Sequence, residues 1–388
     1  MATDLASGFR SKAYVAYTAG GPITLEEVSY GPIAPDEIVV KTAATGICAT
    51  DLKAAAGKFF CQPPMILGHE SAGEVLAVGS AVHNLSPGDN VVLSYSSCGS
   101  CGSCVAGANA YCQELIHLNF TGSRPGGSVA AESTTTTPRQ KLKGHFFGMS
   151  SMGDRIVARA NCAVKLPPST PPEELRLFAS LGCGIQTGAG AIFNVAKPPP
   201  NSKILIFGAG SVGLTACLAA KLTSPSRLVV VDNRVEKLDM VPDYIRTAAN
   251  LVNSSEFPDQ DKLADGLRAL TPASSGYDFV LDCVGRGDLV RVGHMVLKTR
   301  GMLIAVGGSQ DMALQVPMRD HLTKGATFRG THQGDSVPST SIPLLIDLWR
   351  QGKFPFDELL TFYKFEDLDR ALDDMKEGKV IKPVLVQM

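Results

Sequence analysis

Apolar residues cluster in short runs along the first 165 positions, and longer alternating units follow. Ala13-Tyr14-Val15-Ala16-Tyr17 and Glu37-Ile38-Val39-Val40-Lys41 are brief, β-rich stretches. Turn signals at Gly20-Gly21-Pro22 and Gly31-Pro32 separate them. Gly73–Gly79, Asn90–Leu93 after the Ser86-Pro87-Gly88-Asp89 turn, and Asp154–Ala158 continue the pattern. Many short strands with Gly/Pro punctuation predict a compact, partly open β-barrel. Residues 121–144, rich in Ser, Thr, Gly and Pro, lack periodicity and read as a solvent loop, with a cover over a site mouth or a subunit contact as the alternative. Phe146 and Phe147 read as core, with an apolar substrate channel as a second use.

The second half changes period. Ser169 and Pro171-Pro172-Glu173-Glu174 mark a helix start. Lys203–Phe207 reads as a buried strand, Leu214–Lys221 as a helix, and Arg227–Val231 as the next strand, ending at Asp232. Tyr277–Asp282 and Gly301–Gly308 repeat the strand pattern, with helical stretches near 258–270 and 287–299 between them. Alternation of this kind predicts a doubly wound parallel sheet, ending near Phe328-Arg329-Gly330. Two amphipathic helices near 339–351 and 366–377, and a strand at 383–386, return to the first domain.

The chemistry lies at the junctions. Gly208-Ala209-Gly210-Ser211-Val212-Gly213 is G-x-G-x-x-G between strand and helix, the context that a dinucleotide pyrophosphate requires. The helix start supplies partial positive charge for phosphate. Asp232 suits ribose hydroxyls and repels a 2′-phosphate, favouring NAD over NADP; Arg234 works slightly against that. Cys48, Thr50, Asp51, His69 and Glu70 fall within two dozen residues, a donor set suited to zinc. Cys183, in LGCGIQTGAGA, is a further candidate for the same ion if the barrel packs against the strand-and-helix half of the chain. Cys98, Cys101, Cys104 and Cys112 have C-x2-C-x2-C-x7-C spacing, which lets four thiolates converge and leaves no open position. An iron–sulfur cluster or disulfides are the rivals to a structural zinc.

Composition excludes several classes. The chain has 388 residues, 44% hydrophobic and 19% charged, with net charge −1, so nothing points to nucleic acid. The start lacks a secretory pattern, no apolar run reaches membrane-spanning length, and the final tripeptide is no retention or peroxisomal signal. A cytoplasmic protein is expected, and ten cysteines there suggest ligands rather than disulfides.

Together GICATD, GHESAGEV, the four-cysteine stretch, LGCGIQTGAG, the glycine loop with Asp232, and EGKVIKPVL resemble the zinc-containing alcohol dehydrogenases of the medium-chain dehydrogenase/reductase superfamily. LGCGIQTGAG and HFFGMSS are most similar in wording to aryl (benzyl) alcohol dehydrogenases. The resemblance implies a GroES-like catalytic domain over 1–184 and 334–388, with a metal lobe near 94–114, and a Rossmann domain over 185–333. It implies two Zn2+ per subunit, NAD(H), and a homodimer or homotetramer acting on a small alcohol or aldehyde. Cys48, His69 and Cys183 would hold the catalytic ion, with Glu70 as an alternate ligand and Asp51 orienting His69. Thr50 would take the alcohol proton. Thr187 and Val212 would pack on the nicotinamide, Lys237 would hold the adenosine ribose, and Lys382 the pyrophosphate. Lys53 stands where many members carry a relay histidine, which leaves the final proton acceptor open. Two other readings are a zinc-free reductase of activated C=C bonds and a non-catalytic dinucleotide-binding protein.

Overall fold

A computed structural model describes residues 5–308 and 317–387. Residues 1–4, at the start that lacks a secretory pattern, and Met388 of the final tripeptide lie outside that range. Three sheets organise the described chain. The first runs in the order Met65–Ile66, Phe9–Ala16, Ile23–Tyr30, Ala131–Ser133, Lys141–Leu142. The second runs Ala163–Lys165, Asn90–Leu93, Ser71–Val78, Glu37–Gly46, Lys382–Val386, Leu360–Lys364, with Arg155–Arg159 also pairing with Glu37–Gly46. Their inner faces enclose a barrel core that includes Tyr14, Ile38, Val40, Met65, Val91 and Ile156. The loop expected at 121–144 is corrected: Ala131–Ser133 pairs with Val28–Tyr30, and Lys141–Leu142 pairs with Ala131 and Glu132. These strands are too short to show a two-residue period.

The third sheet is all parallel, in the order Asn250–Asn253, Arg227–Asp232, Lys203–Phe207, Tyr277–Asp282, Leu297–Ala305, Thr327–Gly330. The order reverses direction at Lys203–Phe207, and ligands of such sheets bind at that switch. Central strands such as Ile204–Phe207 and Leu228–Val231 are buried on both faces and read as unbroken apolar runs. The expected helices appear as Gln260–Ala269, Gly287–Val296, Pro338–Arg350 and Leu368–Glu377.

The barrel and the parallel sheet share one continuous core. Phe178, Leu181, Ile185 and Ile192 pack with Ala44, Ala72 and Val92 on one side and with Ile206, Leu214 and Ile342 on the other. The helical run from Leu181 to Ala196 crosses residue 184 without a break. Its first turn, Leu181–Ile185, is a π turn, a widening often found where a side chain must be aimed at a site. This turn carries Cys183 to the barrel. No described helix is long and apolar enough to cross a membrane.

Candidate active site

Three segments deliver the donors. The strand Glu37–Gly46 ends at Ile47, and Cys48 caps the helix Ala49–Ala55. Asp51 ties that turn down: its Oδ2 accepts the Cys48 N–H at 3.0 Å. Its Oδ1 accepts the Gly68 N–H at 3.1 Å and faces His69 Nδ1 at 2.8 Å. His69 Nδ1 thus faces a carboxylate and Nε2 points inward; burial works to lower the His69 pKa, but Asp51 and Cys48 outweigh it and raise it. Nε2 lies 3.3 Å from Cys183 Sγ. Ligand atoms of Cys48, His69, Glu70 and Cys183 all fall within 4.8 Å of one another.

Cys48, His69 and Cys183 fit three corners of a tetrahedral zinc, with Glu70 beside them as an alternate ligand. Zn–S and Zn–N bonds of roughly 2.0–2.3 Å place neighbouring ligands roughly 3.4–3.8 Å apart. Buried Glu70 has an Oε1 with no hydrogen-bond partner among the described residues, an orphan that a cation would satisfy. The donor set leaves no thiol idle: Cys183 and His69 hold the Cys48 thiol well below its ordinary range, whereas Cys48 and burial raise Cys183.

Lys382, expected at the pyrophosphate, is 1% exposed and lies behind the cluster. Its Nζ is 2.5 Å from Glu70 Oε2 and donates to the Ile47 carbonyl at 3.1 Å. Burial opposes its charge, but Glu70 and the Cys48 thiolate outweigh that and raise its pKa. Burial likewise raises Glu70, with Lys382 opposing.

The second cluster is as the spacing predicts. Cys98, Cys101, Cys104 and Cys112 offer sulfurs within 4.8 Å of one another, with Cys98–Cys104 at 3.9 Å and Cys101–Cys112 at 4.0 Å. Backbone N–H groups aim at the thiols: Cys98 N to Cys112, Cys101 N to Cys98, and Gln113 N to Cys101. Those from Ser100 and Cys101 pull the Cys98 thiol down to about 6. All ten cysteines are free thiols.

A cleft of about 650 Å³ runs from Cys48 along the glycine loop to Asp232 and Lys237. Gly208 sits at φ 103°, and a Cβ on Gly213 would come within 1.9 Å of the Gly208 carbonyl, so both positions need glycine. Gly210 has open space in front of it, as a pyrophosphate would require. Ser211 and Val212 line the cleft beside it. Asp232 is fixed by the N–H groups of Ala209 and Arg234 at 2.9 and 3.0 Å. The Arg234 guanidinium turns away to the carbonyls of Lys376 and Glu377, at 2.8 and 2.6 Å. Thr187 does not line this cleft; its hydroxyl donates to the Cys183 carbonyl at 2.7 Å. Thr50 Oγ1 lies 3.6 Å from Cys48 Sγ. Lys53, on the next turn, reaches the Gly308 carbonyl at 3.3 Å.

Sequence reasoning missed most of an aromatic wall. Phe147, in the left-handed region at φ 52°, stacks on His69 with ring centroids 4.5 Å apart. Phe120 meets both Phe147 and Phe59 edge-on, each at 5.2 Å. Phe59 and Phe60 follow the Cys48 helix directly, a signal available in the sequence; Phe120 carried none.

Comparison with known proteins identifies the family. Residues 34–168 match the family model for the alcohol dehydrogenase GroES-like domain, and 211–350 that for zinc-binding dehydrogenase. A geraniol dehydrogenase of Castellaniella defragrans is 37% identical over 381 residues, covering 97% of each chain. A class-3 alcohol dehydrogenase of Myxine glutinosa is 31% identical, over 96% of this chain and 97% of its own. Among solved structures, benzyl alcohol dehydrogenase from Acinetobacter calcoaceticus superposes with TM-score 0.89 at 34% identity, covering 98% of this chain and all of that one (100%). A GroES-like barrel with a dinucleotide sheet and converging Cys/His donors defines a dehydrogenase of the medium-chain type. The chain belongs to the zinc-containing alcohol dehydrogenases of the medium-chain dehydrogenase/reductase superfamily.

Proposed function

We propose that this chain interconverts a primary alcohol, aromatic or allylic, with its aldehyde, using NAD(H) and two zinc ions per subunit. The observation that carries the reading is the convergence of Cys48, His69 and Cys183 at the end of the glycine-loop cleft. Retention of all three donors weighs against a zinc-free reductase and against a non-catalytic binder. When bound, zinc supplies the Lewis acid that acidifies an alcohol oxygen, and the nicotinamide supplies the hydride acceptor.

The chain's own residues supply the rest. Cys48, His69 and Cys183 hold three positions and leave one for the substrate oxygen. Asp51 fixes the His69 tautomer, so Nε2 faces the ion. Thr50, whose hydroxyl lies beside Cys48, would take the alcohol proton and pass it outward. Phe147, Phe59 and Phe120 exclude water and favour flat, apolar substrates. Asp232 and Lys237 receive the adenosine ribose. Arg234, committed to the helix end at Lys376 and Glu377, is not free for a 2′-phosphate, which supports NAD over NADP.

The domains are 1–184 with 334–388, and 185–333, with the cofactor between them. The enzyme works in the cytoplasm as a homodimer or homotetramer. Support for self-association is the edge strand Thr327–Gly330, whose four residues are all exposed. The test is a panel of benzyl, cinnamyl, geranyl and aliphatic alcohols with NAD and NADP. Benzyl or allylic alcohols with NAD should give the highest kcat/KM, and Cys48→Ser should abolish turnover. Equal rates with ethanol, or faster reaction with NADP, would refute the substrate or cofactor assignment.

A further inference from the structure

The segment Thr331–Ser336 links the last parallel strand to the helix Pro338–Arg350. It holds three successive residues in the left-handed region: Gln333 at φ 54°, Gly334 at 64° and Asp335 at 51°. Glycine adopts that region freely; glutamine and aspartate do so only when their surroundings hold them there. What holds them differs on the two sides.

On the outer side stands the four-cysteine lobe. Tyr111, next to Cys112, donates its hydroxyl to Asp335 Oδ1 at 2.6 Å and accepts the His332 N–H at 3.3 Å. His332 Nδ1 donates to the Ala110 carbonyl at 3.2 Å. Thr331 and Arg329 complete the Asp335 carboxylate, each at 2.6 Å. On the inner side stands the helical run that carries Cys183. Asn194 donates to the Gly334 carbonyl at 3.0 Å. Gln333, buried, places Oε1 3.3 Å from both Gln186 Nε2 and Thr187 Oγ1. Its Nε2 is 4.0 Å from Cys183 Sγ, the sulfur–nitrogen limit of a hydrogen bond.

We propose that Gln333 is a positioning residue for Cys183 and Thr187, and that the four-cysteine lobe holds it in place through Tyr111. The lobe then acts on the catalytic centre as well as on its own stability. An amide that contacts three side chains of one helical turn fixes that turn's rotation, and so the direction of the Cys183 sulfur. The left-handed triplet needs both of its clamps, so loosening the outer one relaxes the inner one. The assignment rests on the zinc dehydrogenase reading for what Cys183 binds, but the strap itself does not.

The test uses Gln333→Met, which keeps volume but loses both amide ends, and Tyr111→Phe, which removes one exposed hydroxyl outside the catalytic machinery. Each is prepared as full-length protein, with cobalt replacing zinc at the catalytic site. Gln333→Met should lower kcat about tenfold with a smaller change in KM, and shift the thiolate-to-cobalt absorption. Tyr111→Phe should move the same spectrum in the same direction, lower kcat about threefold, and speed amide exchange over Gln186–Gly190 with the lobe's metal retained. The double variant should match Gln333→Met alone. Unchanged spectra and exchange in both variants, or fully additive effects, would overturn the proposal. If Gln333→Met does not fold, Tyr111→Phe decides by exchange and spectrum. If the wild-type chain takes up no cobalt at Cys48, His69 and Cys183, the zinc dehydrogenase reading fails, and exchange over Gln186–Gly190 in Tyr111→Phe still decides the strap.

Discussion

The two donor clusters are built in opposite ways. In the lobe, Cys98 and Cys112 stand 14 positions apart, and the intervening turns bring all four sulfurs together. At the catalytic centre, His69 and Cys183 are 114 positions apart and meet only after a barrel and a helical run have packed. The lobe supports its thiols mainly with backbone N–H groups, joined by the Ser100 hydroxyl on Cys98. The catalytic cluster is surrounded by buried charge: Asp51, Glu70 and Lys382. A local cluster of four thiolates is closed and holds a fold together. A dispersed cluster of mixed donors keeps one position open and needs a charged surround to stay polarised. The first reports stability and the second reports chemistry.

The sharpest way to break this contrast is to delete one ligand from each. Cys104→Ser should free the lobe's metal and lower the unfolding free energy by about 5 kcal/mol or more, seen as a lower denaturant midpoint. A variant that keeps wild-type stability after losing that metal would break the comparison. Cys183→Ser should retain the lobe's metal and most stability, while kcat/KM for the best alcohol falls by roughly a thousandfold. Metal analysis should then read one zinc per subunit where the wild type reads two.

A buried polar cluster with no metal donors sharpens the contrast. Glu37 begins the strand that ends before Cys48, and it accepts from His145 at 2.8 Å and from Arg124 at 2.7 and 2.8 Å. Burial works to raise its pKa, but His145 and Arg124 outweigh it and hold the carboxyl at about 2, below its ordinary 4.5. The native state therefore binds this proton more weakly than the unfolded chain. The stabilisation is full above pH 4.5 and drains away as the pH falls toward 2. A shift of this size corresponds to about 3 kcal/mol. Urea midpoints measured from pH 6 to pH 3 should fall more steeply for the wild type than for Glu37→Gln; parallel slopes would dismiss the coupling. The smallest effect of these comparisons belongs to Asp51→Asn, which keeps the hydrogen-bond geometry but weakens the hold on His69. Activity or catalytic-metal affinity should drop about 10- to 100-fold, with the lobe's metal untouched.

The parts legible in the sequence were those with local causes. The glycine loop works through backbone geometry that Gly208 and Gly213 permit, so strand, loop and helix could be placed in order, although the helix starts at Ser211, three residues before the expected Leu214. The lobe's spacing named its four ligands outright. Cys48 and His69 read only as an ambiguous pair, and Cys183 joined them through resemblance, because its aim depends on a π turn that no periodicity reveals. Lys382 likewise entered through resemblance, and only the packed barrel shows Glu70 beside it. Gln333 was invisible, since its role depends on a left-handed backbone that sequence does not announce.

The pairing of Lys382 with Glu70 also sets an order of assembly. The strand Lys382–Val386 follows Glu70 by more than three hundred residues, yet it brings the counter-cation for that carboxylate. Until that strand docks beside Gly46, Glu70 would face a dry interior alone. A nascent chain stalled short of this strand would therefore carry Cys48, His69, Glu70 and Cys183 and still lack the cation that completes the pocket.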